Sequence, residues 1–188
     1  SVTVNLTPSA PAASASPNPI CIGQTLSLTA TSTGTTYSWN GPNSFTSTLQ
    51  NPSFAVGTTA YTGTYSVTTT TSGCTSSAGT VSVTVNPIPS SPTPVSSNSP
   101  VCVNATLNLF SATVGSATYS WTGPNSFTST AEDPSFSATT TAYSGTYSVN
   151  VTVAGCTSSS ATTSVTVNPI PSAPTPVSSN TPVCVNAT

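Results

Sequence analysis

The chain has 188 residues, and Glu132 and Asp133 are its only charges; Lys, Arg and His are absent. No side chain can therefore neutralise a phosphate or hold an anionic lipid, which excludes nucleic acid and charged membrane surfaces as partners. No apolar run reaches the length of a membrane span, and no base is present to activate the many Ser and Thr hydroxyls, so neither membrane insertion nor an enzyme is expected.

Hydrophobic residues make up 35% of the chain. Val and Thr dominate rather than charge, which points to strands with a hydroxyl-covered surface and not to disorder. The segment Ser1-Val2-Thr3-Val4-Asn5 returns at Ser82–Asn86 and again at Ser164–Asn168. A repeat of this length is a small domain, so the chain reads as part of a tandem array. The expected division is the last strand of a preceding unit at 1–4, one domain at 5–85, a second at 86–167, and the first strand and linker of a following unit at 168–188. No signal peptide is visible, and residue 1 falls in mid-period, as expected of a chain whose N-terminus lies elsewhere.

Each unit opens on a Pro-rich stretch, Pro8–Pro19 or Pro87–Pro100, read as linker plus edge strand because proline cannot donate to a ladder. In Cys21–Ala30, Leu26, Leu28 and Ala30 alternate with polar residues, the mark of a half-buried strand. Gly23 becomes Asn104 in the second copy, and both tolerate positive φ, which predicts a tight turn. Thr36–Trp39 and Thr118–Trp121 follow as strands. Gly41-Pro42-Asn43-Ser44 turns the chain into a short strand at Phe45–Thr48, and Asn51-Pro52 turns it again before Phe54. Tyr61–Val67 leads into a strand ending at Ser72-Gly73-Cys74, and Gly79–Val85 reads as the last strand. About seven short strands with regular turn signals and no helical period argue for an all-β sandwich.

Leu-x-Leu-x-Ala, then Trp39, then Gly63-Thr64-Tyr65-Ser66-Val67 resembles the immunoglobulin pattern of strand B, core tryptophan and tyrosine corner. Ala30 and Val67 stand where an antibody domain carries its cysteines, and Tyr61 replaces the acidic residue that precedes the corner. The Trp-x-Gly-Pro-Asn-Ser-Phe-Thr-Ser-Thr block and the Gly-Cys-Thr-Ser-Ser hairpin more closely resemble Ig-like repeats of giant Bacteroidetes surface proteins, among them gliding-motility adhesins and other type IX-secreted proteins. The resemblance implies tandem immunoglobulin-like β-sandwiches in a linear array. It also implies Trp39, Tyr65, Trp121 and Tyr147 as core residues and a location outside the cell, at its surface.

Five cysteines without a Cys-x-x-Cys or a histidine read as disulfides of an exported protein, not as a metal site, and no cofactor is expected. One pairing is Cys21–Cys74 and Cys102–Cys156, a bridge within each domain, with Cys184 left over. In an Ig-like sandwich, however, Cys21 enters strand B while Cys74 lies beyond the exit of strand F, and B and F run the same way. At about 3.3 Å per residue the two fall near opposite ends of a domain, whereas a disulfide needs Cα atoms within about 7 Å. This favours Cys21–Cys156, a bridge between neighbouring domains. Cys102 and Cys74 would then await the units beyond them.

Glu132 and Asp133 could be a carboxylate pair for acid–base work, but they match Gln50 and Asn51 in the first unit, so whatever they do is expected not to be common to both, and a solvated loop is the expected reading. Two carboxylates cannot build calcium clamps between domains. All six Tyr and both Trp recur at matching positions, leaving Phe110 as the unmatched aromatic and little from which to make a sugar-stacking face. The Asn-x-Thr triplets at Asn5, Asn104, Asn150 and Asn186 match the glycosylation pattern, although such triplets arise by chance in so Thr-rich a chain. The expected function is a structural, non-catalytic segment of a surface adhesin or filament. Its partners would be neighbouring repeats or further copies of itself, head to tail. The alternative is a module of a secreted protein that binds a glycan or a protein through its loops.

Overall fold

The computed structural model of the chain describes residues 4–32, 34–93 and 95–176. Most of the expected flanking strand at 1–4, the stretch 177–188 and Cys184 lie outside the described residues.

The first unit contains β1 (Ala12–Ser16), β2 (Ile20–Cys21), β3 (Thr25–Thr31), β4 (Thr36–Gly41), β5 (Phe45–Ser47), β6 (Ser53–Ala55), β7 (Gly63–Thr71), β8 (Cys74–Thr75), β9 (Gly79–Val83) and β10 (Val85–Asn86). One sheet has the order β1-β3-β6. The other has β5-β4-β7, with β8 and β9 both on the far side of β7. A short parallel pair, β2 with β10, closes the side. The second unit repeats this element by element as β11 (Val95–Ser97), β12 (Val101–Cys102), β13 (Thr106–Ser111), β14 (Thr118–Gly123), β15 (Phe127–Ser129), β16 (Ser135–Ser137), β17 (Gly145–Val153), β18 (Cys156–Thr157), β19 (Ala161–Val165) and β20 (Val167–Asn168). Both units are Ig-like β-sandwiches, as the sequence pattern implied. A single turn of 3₁₀ helix at Thr59–Tyr61 and at Thr141–Tyr143 leads into the long strands β7 and β17.

The expected last strand, Gly79–Val85, is two. β9 pairs antiparallel with β7 through Val83, and after Thr84 the chain crosses to pair parallel with β2. Thr84 donates its N–H to Asn18 Oδ1 at the switch, and its carbonyl accepts from Ile20. The expected turn after β2 is present: Gly23 has φ 89° and Asn104 φ 68°. The left-handed region is open to glycine and tolerated by asparagine, which explains the exchange of these two residues.

The cores are apolar and closed. Leu26, Leu28, Trp39, Tyr65 and Val67 are buried in the first unit, and Leu107, Leu109, Trp121, Tyr147 and Val149 in the second. Trp39 Nε1 donates to the Gln50 carbonyl (3.2 Å) and Trp121 Nε1 to that of Glu132 (3.1 Å). Tyr65 and Tyr147 donate their hydroxyls to the carbonyls of Tyr61 and Tyr143, each at 2.9 Å. These are tyrosine corners made to the main chain, which is why no acidic side chain is needed at position 61. Gly41 and Gly123 lie flat on the Tyr65 and Tyr147 rings, where a Cβ would run into the ring.

Burial, reinforced by Tyr61, pushes the Tyr65 hydroxyl up to about 12, and Tyr147 behaves alike beside Tyr143. The unfolded chain then releases these protons at lower pH than the folded one. The tyrosine contribution to stability is full below the ordinary value of 10.0 and is lost as pH rises towards about 12. Urea midpoints of the disulfide-intact chain should fall steeply across that window and show no tyrosine-linked fall below it. Trp39→Ala should cost the first unit about 3–5 kcal/mol. In urea unfolding, far-UV circular dichroism should reveal an early transition while Trp121 fluorescence keeps its original midpoint.

Candidate functional site: the clasp between the sandwiches

At one end of each unit a two-residue turn joins the long strand to the next. Ser72 and Gly73 have φ 50° and 82°, and Ala154 and Gly155 have φ 48° and 82°. Positive φ at both positions suits the right-handed twist of a two-residue hairpin. The arms are tied by hydroxyl pairs, Thr70 to Thr75 and Thr152 to Thr157, each at 2.9 Å. The first residue after each turn is a cysteine, Cys74 or Cys156.

At the opposite end, β2 terminates at Cys21, in register with Asn86 of β10, just before the Gly23 turn. Cys21 is bonded to Cys156 of the second unit, with Cα atoms 5.7 Å apart, well within disulfide reach. Beside the bridge, Asn86 Nδ2 donates to the Ala154 carbonyl (2.9 Å). The Asn86 carbonyl accepts from Ile22 N–H within its own unit (3.0 Å), so one residue serves both sandwiches. Cys156 Sγ lies 3.9 Å from that same carbonyl oxygen. The clasp thus consists of one covalent bond and one neutral hydrogen bond, with neither carboxylate in it.

Cys21–Cys74 and Cys102–Cys156 bridges are not formed: Cys74 and Cys102 are free thiols, the first half-buried and the second exposed. Each pair sits at opposite ends of its own sandwich, as strand direction requires. Trp39, Tyr65, Trp121 and Tyr147 are buried, so none offers a sugar-stacking surface. Phe45 stacks on Phe54 at 4.3 Å and meets Tyr65 edge-on at 5.4 Å, and Phe127 and Phe136 repeat the arrangement against Tyr147.

Glu132 and Asp133 do share a role with their counterparts, contrary to the sequence expectation. Asp133 Oδ1 accepts the Ser111 N–H (2.9 Å), and Asn51 Oδ1 accepts that of Ala30 at the matching position (3.1 Å). Both side-chain oxygens, one of a carboxylate and one of an amide, pin this loop to β3 or β13. The Glu132 carboxylate accepts from the Thr113 hydroxyl. Asn86 was missed as a functional residue. Its signal was the recurrence of Asn5, Asn86 and Asn168 at the end of each Ser-Val-Thr-Val run.

Residues 8–87 match the family model described as Ig-like domain, CHU_C associated. No curated protein matches the chain. Among solved structures, the chain is similar to one in the mouse coronavirus receptor-binding domain complexed with its murine receptor, with TM-score 0.51 and 13% identity, covering 85% of this chain and 100% of that one. Murine CEACAM1b gives TM-score 0.47 and 13% identity, covering 87% and 99%. The three N-terminal domains of the bacteriophage RB49 Highly Immunogenic Outer Capsid protein give 0.43 and 19%, covering 84% of this chain and 59% of the phage chain. At such identities the likeness is one of fold.

An Ig-like sandwich held to its neighbour by a disulfide is an extracellular module, structural or binding. Ala154 occupies a backbone region that an L-residue with a Cβ enters at a cost, whereas asparagine tolerates it. Ala154→Asn should therefore raise the stability of the second unit by about 0.5–1 kcal/mol, read as a higher urea midpoint with Cys21–Cys156 still formed.

Proposed function

We propose that this chain is a non-catalytic spacer of a cell-surface adhesin or filament: residues 8–87 match the family model of CHU_C-associated Ig-like domains, and the second sandwich repeats the first element by element. The observation that carries this reading is the Cys21–Cys156 bridge. A bridge within one domain would stabilise that domain alone. A bridge from one unit to the next fixes the angle between them, a property useful to an array and of no use to an isolated module. The element-by-element repetition of the two units supports the same reading. A binding module concentrates difference in one set of loops, whereas here the Trp-x-Gly-Pro-Asn-Ser-Phe block, the 3₁₀ turn and the hairpin recur in both.

The absence of cationic side chains fits a role without electrostatic recognition. The clasp contains no ion pair, so salt should not loosen it. A spacer of this kind holds whatever lies beyond it at a set distance and orientation from the cell.

Small-angle scattering of the oxidised chain should give a narrow, extended distance distribution that is unchanged by salt. Cys156→Ser should broaden that distribution, with circular dichroism of both sandwiches retained. A Cys156→Ser profile identical to that of the oxidised chain would reject the spacer role of the bridge. A reproducible hit for the isolated chain on a glycan array would favour the binding-module reading.

A further inference from the structure

Each half of the clasp also exists in this chain without a disulfide. We propose that Asn86 is the positioning residue of the Cys21–Cys156 bond: its amide seats the second hairpin and thereby brings Cys156 to Cys21 before the sulfurs join. The proposal concerns how the bridge closes; it goes beyond the spacer reading and does not rest on it.

The first half joins cysteine to asparagine within one sandwich. Asn86 is in register with Cys21 in the parallel pair β2–β10, and its carbonyl accepts the Ile22 N–H (3.0 Å). The second unit repeats this with Asn168 and Cys102 in β12–β20, where Val103 N–H donates to the Asn168 carbonyl (2.9 Å). Cys102 is a free thiol. The ladder that holds the cysteine beside the asparagine therefore forms without a sulfur bond.

The second half joins asparagine to hairpin. Asn86 Nδ2 donates to the Ala154 carbonyl (2.9 Å), two residues before Cys156. Asn5 Nδ2 donates in the same way to the Ser72 carbonyl (3.0 Å), two residues before Cys74. Each hairpin sulfur then lies beside the asparagine carbonyl oxygen, 3.9 Å for Cys156 and Asn86 and 3.7 Å for Cys74 and Asn5. Cys74 is a free thiol, so an asparagine sits on this turn with no disulfide to hold it there. Asn86 belongs to both halves at once. Paired in a ladder with Cys21 and bonded to the carbonyl just before the Cys156 arm, it confines one thiol close to the other. Such confinement raises their local concentration and favours closure without touching the sulfur chemistry itself.

Closing the bridge removes two protons and two electrons from the two thiols, and a small-molecule disulfide such as oxidised glutathione accepts them. Cys21 is partly exposed in the clasp whereas Cys156 is buried, so Cys21 is the sulfur that the reagent reaches with the hairpin seated. The Cys21 thiolate attacks the reagent and forms a mixed disulfide, and one glutathione leaves as a thiol. The Cys156 thiolate then attacks the Cys21 sulfur, and the second glutathione leaves as a thiol. Asn86 acts on this second, intramolecular step.

The test uses the full chain with Cys74→Ser, Cys102→Ser and Cys184→Ser, so that Cys21 and Cys156 are the remaining thiols. This chain and its variants are equilibrated with reduced and oxidised glutathione without denaturant and quenched with acid, and the bridged and mixed-disulfide forms are counted by mass spectrometry. Asn86→Ala should lower the ratio of bridged to mixed-disulfide chain about fivefold, the effect of losing one hydrogen bond. Asn86→Asp, which keeps the size but loses the N–H donor, should lower it at least as much. Asn5→Ala, the same change on the first hairpin, should leave the ratio as it is. With Cys156→Ser added, Asn86→Ala should not change the rate at which oxidised glutathione modifies Cys21, and far-UV circular dichroism of the reduced chain should be the same for every variant. The proposal is overturned by an unchanged ratio in either Asn86 variant, by an equal fall with Asn5→Ala, by a matching change in the rate at Cys21, or by a fall that comes with lost circular dichroism. The scattering profile of the oxidised chain is a separate measurement, so failure here leaves the spacer reading standing.

Discussion

Each sandwich depends on one buried pair, a tryptophan on β4 or β14 and a tyrosine on β7 or β17, whose polar tips both end on main-chain carbonyls. Main-chain carbonyls let these large rings be buried without stranding a donor. The remaining features follow from this arrangement. The 3₁₀ turn brings the carbonyl of Tyr61 or Tyr143 to the hydroxyl. The loop before β6 or β16 brings the carbonyl of Gln50 or Glu132 to the indole. Glycine at 41 and 123 leaves room for the ring. Because every acceptor is backbone, the side chains at these positions are free to vary, as Gln50 and Glu132 do.

The same neutrality extends to the junction. A disulfide contributes roughly 2–4 kcal/mol by restricting the unfolded chain, and the asparagine beside it adds orientation. Neither responds to ionic strength as an exposed ion pair does. The junction also places its two components on elements fixed by their own sandwich: Cys21 and Asn86 are paired in a ladder, while Ala154 and Cys156 belong to a tight hairpin. The contact is therefore made between rigid parts, and the Pro-rich segment at 87–93 does not have to hold the angle alone.

Much of this could be read before the structure was seen. Leu26 and Leu28 announced their strand by alternation, and the Gly23/Asn104 exchange announced its turn. The distances of Cys21 from Ala30 and of Cys74 from Val67 already argued against a bridge within one domain. What stayed hidden had physical reasons. Val81, Val83 and Val85 alternate without interruption, so nothing in the pattern marks the change of partner at Thr84; that change is made by hydrogen bonds to Asn18 and Ile20, far away in sequence. Asp133 and Asn51 look different as charges but are alike as acceptors, and only geometry reveals which property is used. Asn86 looked like the closing letter of a repeat because its Ala154 partner lies 68 residues away.

The Cys21–Cys156 bridge also has a mechanical consequence. It closes a loop that contains the linker and most of both sandwiches. Tension that reaches Cys156 passes through the sulfur bridge into Cys21 and on along the covalent chain of β2, so the linker between the units carries no covalent load until the bridge is reduced.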